Sequence, residues 1–134
     1  MTIVVDTNVL VSGLLNPRGA PGRIVDLIVA GDAGLVVDDR ILDEYSEVLG
    51  RPEFGFDGKD VDTLLAAVEA TAVHVRCVPL AARLPDPDDE PFLEAALAAK
   101  ADALVTGNLR HFPADLRSGV AVFGPVEFLA RLIV

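Results

Sequence analysis

The chain has 134 residues, is 51% apolar with only 5% aromatic residues, and carries a formal net charge of −10. That length allows one domain, expected over residues 1–134, with a sizeable aliphatic core. The acidity argues against a broad basic face for nucleic acid, the single cysteine excludes an intrachain disulfide, and no apolar run approaches the roughly 20 residues that span a bilayer.

The first residues lack the basic and apolar regions of a secretory signal, so a cytoplasmic, non-membrane protein is expected. Thr2–Val5 is a β-branched run that predicts a buried strand. A helix follows near Val9–Leu15 and breaks at Asn16-Pro17-Arg18-Gly19. A second helix is predicted from Pro21 to Ala30, with Ile24, Leu27 and Ile28 as its stripe and Gly31 as its stop. Leu35–Val37 reads as a strand, and Asp38 or Asp39 caps a helix to Leu49. Phe54–Gly58 reads as a loop, 60–72 as a helix and His74–Val78 as a strand, with Cys77 a packing residue. A loop over Pro79–Pro87 leads to a helix that starts at Asp88 or Asp89 and ends near Lys100. Ala103–Thr106 is a strand, Gly107–Pro113 a turn, Val120–Phe123 a last strand, and Pro125 opens a terminal helix through Leu132. The alternation predicts an α/β fold with a mostly parallel sheet.

The carboxylates are the chemistry of this chain. Asp6 ends the first strand, where open α/β sheets place their ligands. It either caps the next helix or belongs to a site, and other converging acids decide between the two. Phe92, Leu93, Ala96 and Leu97 lie at +3, +4, +7 and +8 from Asp89, which puts Asp89 on the apolar stripe, while Asp88 suits an N-cap. Asp86, Asp88 and Glu90 add like charge that calls for a cation. Glu44 flanks the face made by Ile41, Tyr45 and Val48, and on pattern alone reads as a solvated acid. Thr106-Gly107-Asn108 stands at another strand's carboxyl end, and Asn108 offers an amide where a turn residue would also serve. Oxygen donors without a His or Cys cluster suit Mg²⁺ or Mn²⁺, and such a site suits phosphodiester hydrolysis.

These segments resemble the PIN-domain ribonucleases and, within them, VapC-like toxins of toxin–antitoxin pairs. The resemblance rests on residues 4–10 (Val-Val-Asp-Thr-Asn-Val-Leu), Asp86-Pro87-Asp88-Asp89 leading into 92–96, 103–108, Phe112-Pro113, and the ending 124–129. It implies a three-layer α/β/α sandwich and metal-dependent endonuclease activity on RNA. By position, Asp6 matches the family's first acid, Glu44 its second and Asp89 the acid before the threonine strand. Asp6, Asp89 and Glu44 are thereby the expected metal ligands, with Asn8 and Thr106 in support. Asn108 stands where many members carry a fourth acid, so the resemblance leaves one metal or two open. It also implies a homodimer and a small antitoxin whose basic segment suits this acidic chain. Arg18, Arg23, Arg110 and His111 are candidate phosphate contacts, with ordinary surface charge the competing reading for each, and His111 reads as a packing or solvent-facing residue rather than a general base. A phosphatase using Asp6 as nucleophile is disfavoured, because Asn8 replaces the acid expected two residues on. The alternative from another class is a catalytically weak PIN-like module that only binds RNA or protein.

Overall fold

The computed structural model of the protein describes residues 1–132; Ile133 and Val134, the last two residues of the expected 1–134 domain, lie outside the described residues. Five short strands, β1 (Thr2–Val5), β2 (Gly34–Val37), β3 (Val73–His74), β4 (Ala103–Val105) and β5 (Val122–Phe123), form one sheet in the order β3-β2-β1-β4-β5. Every pairing is parallel. Six helices pack around the sheet: α1 (Thr7–Leu15), α2 (Ala20–Val29), α3 (Asp39–Leu49), α4 (Gly58–Thr71), α5 (Glu90–Ala99) and α6 (Pro125–Leu132). This is the expected α/β sandwich.

Parallel strands buried on both faces need continuous apolar runs, and β1, β2 and β4 supply them. Ile3, Val4, Val5, Leu35, Val36, Val37, Leu104 and Val105 are all fully buried. α5 lies across β1, β2 and β4 and buries Phe92, Leu93, Ala95 and Ala96 there. The turn between α1 and α2 is closed by Gly22: a Cβ there would meet the Pro17 carbonyl oxygen at 2.2 Å. Only glycine lets the two helices start and stop that close together.

The chain order of the strands matters for function. β1 is central; β2 and β3 build outward on one side, β4 and β5 on the other. The order reverses between β1 and β4, and the crevice outside the carboxyl ends at such a switch point is where open α/β sheets bind ligands. Asp6 follows β1 and Thr106 follows β4, so both stand at the lip of that crevice.

Some boundaries differ from the sequence reading. The expected strand His74–Val78 pairs only over Val73–His74. Its partner β2 ends at Val37, whose carbonyl accepts the Val75 N–H at 3.0 Å, and the chain beyond has no ladder to join. Val75 and Cys77 still pack inward, so the alternation is real without being a strand. α4 starts at Gly58, two residues early, because the Asp57 side chain accepts from Lys59 N. The expected loop 54–58 is entered through a 3₁₀ turn at Pro52–Phe54, with Phe54 stacked on Phe56. Among the described residues no helix is long and apolar enough to cross a membrane.

Candidate metal centre

Asp6 occupies the position before α1, yet its side chain makes no capping bond to that helix. Its Oδ2 instead accepts from Thr106 Oγ1 at 2.8 Å and from Asn8 Nδ2 at 3.2 Å. The cap reading is therefore set aside. Asp6 is 5% exposed, and burial pushes its carboxyl above the ordinary range. The Thr106 hydroxyl and the nearby amides of Thr7 and Asn8 oppose that push without cancelling it.

Two residues tie the ends of β1 and β4 together. Asn8 donates to Asp6 and accepts from Gly107 N at 3.0 Å, so one amide uses both its ends. Glycine at 107 eases this closeness: a Cβ would lie 3.2 Å from Asn8 Oδ1, tight enough that the Asn8 side chain would have to give slightly. Thr106, fully buried, donates to Asp6 and accepts from Asn108 N at 3.0 Å. Asn8 and Thr106 thus both donate to one oxygen of Asp6, Oδ2.

Glu44 is half-buried on α3, and Thr7 Oγ1 donates to its Oε2. The solvated-acid reading from its helical pattern fails, because the β1–α1 junction covers it. Burial raises its pKa, the Thr7 hydroxyl opposes, and the charges of Asp6 and Asp88 add to the rise. Tyr45, next on α3, buries its hydroxyl against the Val5 carbonyl at 2.5 Å and so anchors α3 to the end of β1. Sequence reading took Tyr45 only as a core residue; a hydroxyl at a fully buried position was the available signal.

Asp89 is 8% exposed and ends a 3₁₀ turn, Pro87–Asp89, that precedes α5. Asp86 caps this turn, its Oδ1 accepting from Asp88 N at 2.9 Å, and the cap position of α5 falls on Asp89, without a side-chain bond, rather than on Asp88. Burial lifts Asp89 to about 6, the Asp6 charge adds to the rise, and His111 opposes it. Its Oδ2 is wholly buried and receives no hydrogen bond from the described residues. His111 Nδ1 lies 2.9 Å from that oxygen but out of line for one. His111, with 44% of its side chain exposed, is solvent-facing as expected and also stands beside Asp89. Asp86, Asp89 and His111 bring ligating atoms within 4.8 Å of one another.

Two buried acids on α5, one turn apart, hold the segment that carries Asp86 and Asp89. Glu90 accepts from Leu84 N and from Arg83; Glu94 accepts from Leu80 N and from Arg40. Both were unassigned by sequence reading, which counted Glu90 only as nearby charge. Asn108 is exposed and caps a 3₁₀ turn, Leu109–His111, through its carbonyl rather than its side chain. Arg110 is exposed in that turn and lines a concavity formed by residues 107–111. Arg18 is exposed in the α1–α2 turn, beyond the end of α1 opposite Asp6, and Arg23 is exposed in the first turn of α2.

These features define a parallel α/β sandwich with buried, mutually repelling carboxylates at the switch point, the donor chemistry of a hard-cation site. Residues 2–110 match the model of the PIN domain family. The chain belongs to that family, and its fold is of nuclease type. A 26-residue stretch, 19% of this chain, is 62% identical to an uncharacterized protein of Methanocaldococcus jannaschii, of which it covers 17%.

Proposed function

We propose that the chain is a metal-dependent endoribonuclease and the toxin of a toxin–antitoxin pair. The observation that carries the reading is Asp89 Oδ2: a buried carboxylate oxygen without a donor, facing like charge from Asp6. Such an oxygen is costly to bury unless a proton or a cation compensates it. Asp6, Asp89 and Glu44 fit a Mg²⁺ or Mn²⁺ ion by donor type, and their raised pKa values mark charges that a dication draws back down. When bound, the ion activates water and stabilises charge on the phosphodiester.

The chain's own residues do the positioning. Thr106 and Asn8 fix Asp6, Thr7 fixes Glu44, and Glu90 and Glu94 fix the segment bearing Asp89. Arg110 is offered as a phosphate contact beside the crevice, with Arg18 and Arg23 as further candidates. An antitoxin with a basic segment is complementary to the −10 charge. The homodimer is tested by sedimentation at micromolar concentration, where a monomer would remove it from the proposal.

Purified protein is expected to cleave RNA with Mg²⁺ or Mn²⁺ and to stop with chelator. Asp6→Asn is expected to abolish cleavage with the circular dichroism spectrum intact; undiminished cleavage would refute the assignment. Asn108 favours a second reading, a weak module that only binds RNA or protein, because its amide carries no charge where many members of the family the sequence resembles carry an acid. Calorimetry decides: metal binding that appears only in Asn108→Asp supports the module.

A further inference from the structure

We propose that His111 is a nitrogen ligand of the cation, so that this edge takes a first-row transition-metal dication such as Mn²⁺ in preference to Mg²⁺. The inference rests on the reading that the carboxylate edge holds a cation, and adds a donor that sequence reading considered only for phosphate contact.

The first observation is geometric. His111 Nδ1 is 2.9 Å from Asp89 Oδ2, but the two are not aligned as donor and acceptor. Two donors about 2.1 Å from a shared ion, at the right angle of octahedral coordination, lie about 3.0 Å apart. The pair thus stands as neighbouring ligands stand. An Asp86 carboxylate oxygen completes the group within 4.8 Å.

The second observation is burial. Asp89 is 8% exposed and its Oδ2, the oxygen facing His111, has no hydrogen-bond donor among the described residues. The carboxylate is aimed into the cluster and left unsatisfied there.

The third is rigidity. His111 closes a 3₁₀ turn, with its N–H on the Asn108 carbonyl at 3.0 Å. The next residue, Phe112, is fully buried, and its carbonyl accepts from Arg117 Nε at 2.8 Å. On the other side, Pro87 and the Asp86-to-Asp88 bond fix the turn that carries Asp86 and Asp89. Both halves are held by contacts that do not involve an ion, so little reorganisation is needed to bind one.

The chemistry follows from the donor set. Oxygen-only sites suit Mg²⁺, whereas imidazole favours transition metals. At this edge Asn108 supplies no charge, and His111, three residues on, supplies a stronger neutral donor than the amide.

The test uses the full chain and the metals alone. Pulsed electron paramagnetic resonance of Mn²⁺-loaded protein is expected to show ¹⁴N coupling that vanishes in His111→Gln. Calorimetry is expected to give Mn²⁺ binding at least about tenfold tighter than Mg²⁺, with His111→Gln losing at least about tenfold for Mn²⁺ and less than about threefold for Mg²⁺. Unchanged thermal unfolding of metal-free His111→Gln checks that the fold is kept; if it is lost, the coupling in the natural chain still decides. Mn²⁺ bound without ¹⁴N coupling, and lost in Asp89→Asn, overturns the role of His111 and leaves the carboxylate reading standing. No binding of either metal overturns both.

Discussion

Replacing Asp89 by Asn is expected to make the metal-free protein more stable while removing its activity. In the fold, burial and the Asp6 charge hold Asp89 at about 6, against 3.8 for the free side chain. The folded chain therefore binds a proton more tightly than the unfolded chain between those values. Stability falls as pH rises through that window, the full penalty is present above about pH 6, and it is absent below about pH 4. A displacement of about two units corresponds to about 3 kcal/mol, and water on the open side of the crevice screens part of it, so a gain of about 1–3 kcal/mol is expected from the substitution. Asn keeps the volume and drops the charge. Urea unfolding in chelator at pH 7.5 and at pH 4 measures the gain, which is expected at the first pH and nearly gone at the second. A variant less stable at pH 7.5, or a gain equal at both pH values, would refute the reasoning. Saturating Mn²⁺ adds a second contrast: at a hundred times the dissociation constant it stabilises the natural chain by about 2.7 kcal/mol and leaves Asp89→Asn nearly unmoved.

Thr106→Val removes the donor to Asp6 and the acceptor of Asn108 N, so a loss of about 1–3 kcal/mol by urea unfolding is expected, with Thr106→Ser restoring most of it. Asn8→Asp replaces a donor by a like charge beside Asp6; stability in chelator at pH 7.5 is expected to fall by about 1–2 kcal/mol and to recover near pH 4. Tyr45→Phe leaves the buried Val5 carbonyl without its hydroxyl partner and is expected to cost about 1–2 kcal/mol with cleavage reduced, since α3 also carries Glu44. Burial and the Asp38 carboxylate push the Cys77 thiol up to about 11, so alkylation at pH 7.5 is expected to be much slower than for a free thiol.

The sheet was legible because parallel strands buried on both faces leave uninterrupted β-branched runs, as at Ile3–Val5 and Leu35–Val37. Asp89 was legible because helical spacing put it on the stripe with Phe92 and Leu93. Glu44 was not legible from periodicity, since its cover comes from Thr7, 37 residues away. His111 was legible as a possible phosphate contact but not as a neighbour of Asp89, because Asp89 lies on another element and nothing local to Leu109-Arg110-His111 reports it. Glu90 and Glu94 look like a solvated helix face until Leu84 and Leu80 offer their amides. The stripe itself was overextended, for Leu97 is 38% exposed near the end of α5. Sequence periodicity records which face is apolar; it does not record which polar groups arrive from elsewhere to share that face.

The central claim is that buried carboxylates at the β1–β4 switch point hold a cation for RNA cleavage. The most direct measurement is cleavage-site mapping on total RNA by the purified chain with Mn²⁺, with Mg²⁺, with chelator, and with Asp6→Asn and Asp89→Asn in parallel. Defined cuts that need a metal and vanish in both folded variants are predicted. Cuts that persist in chelator, or in either variant at the rate of the natural chain, would contradict it.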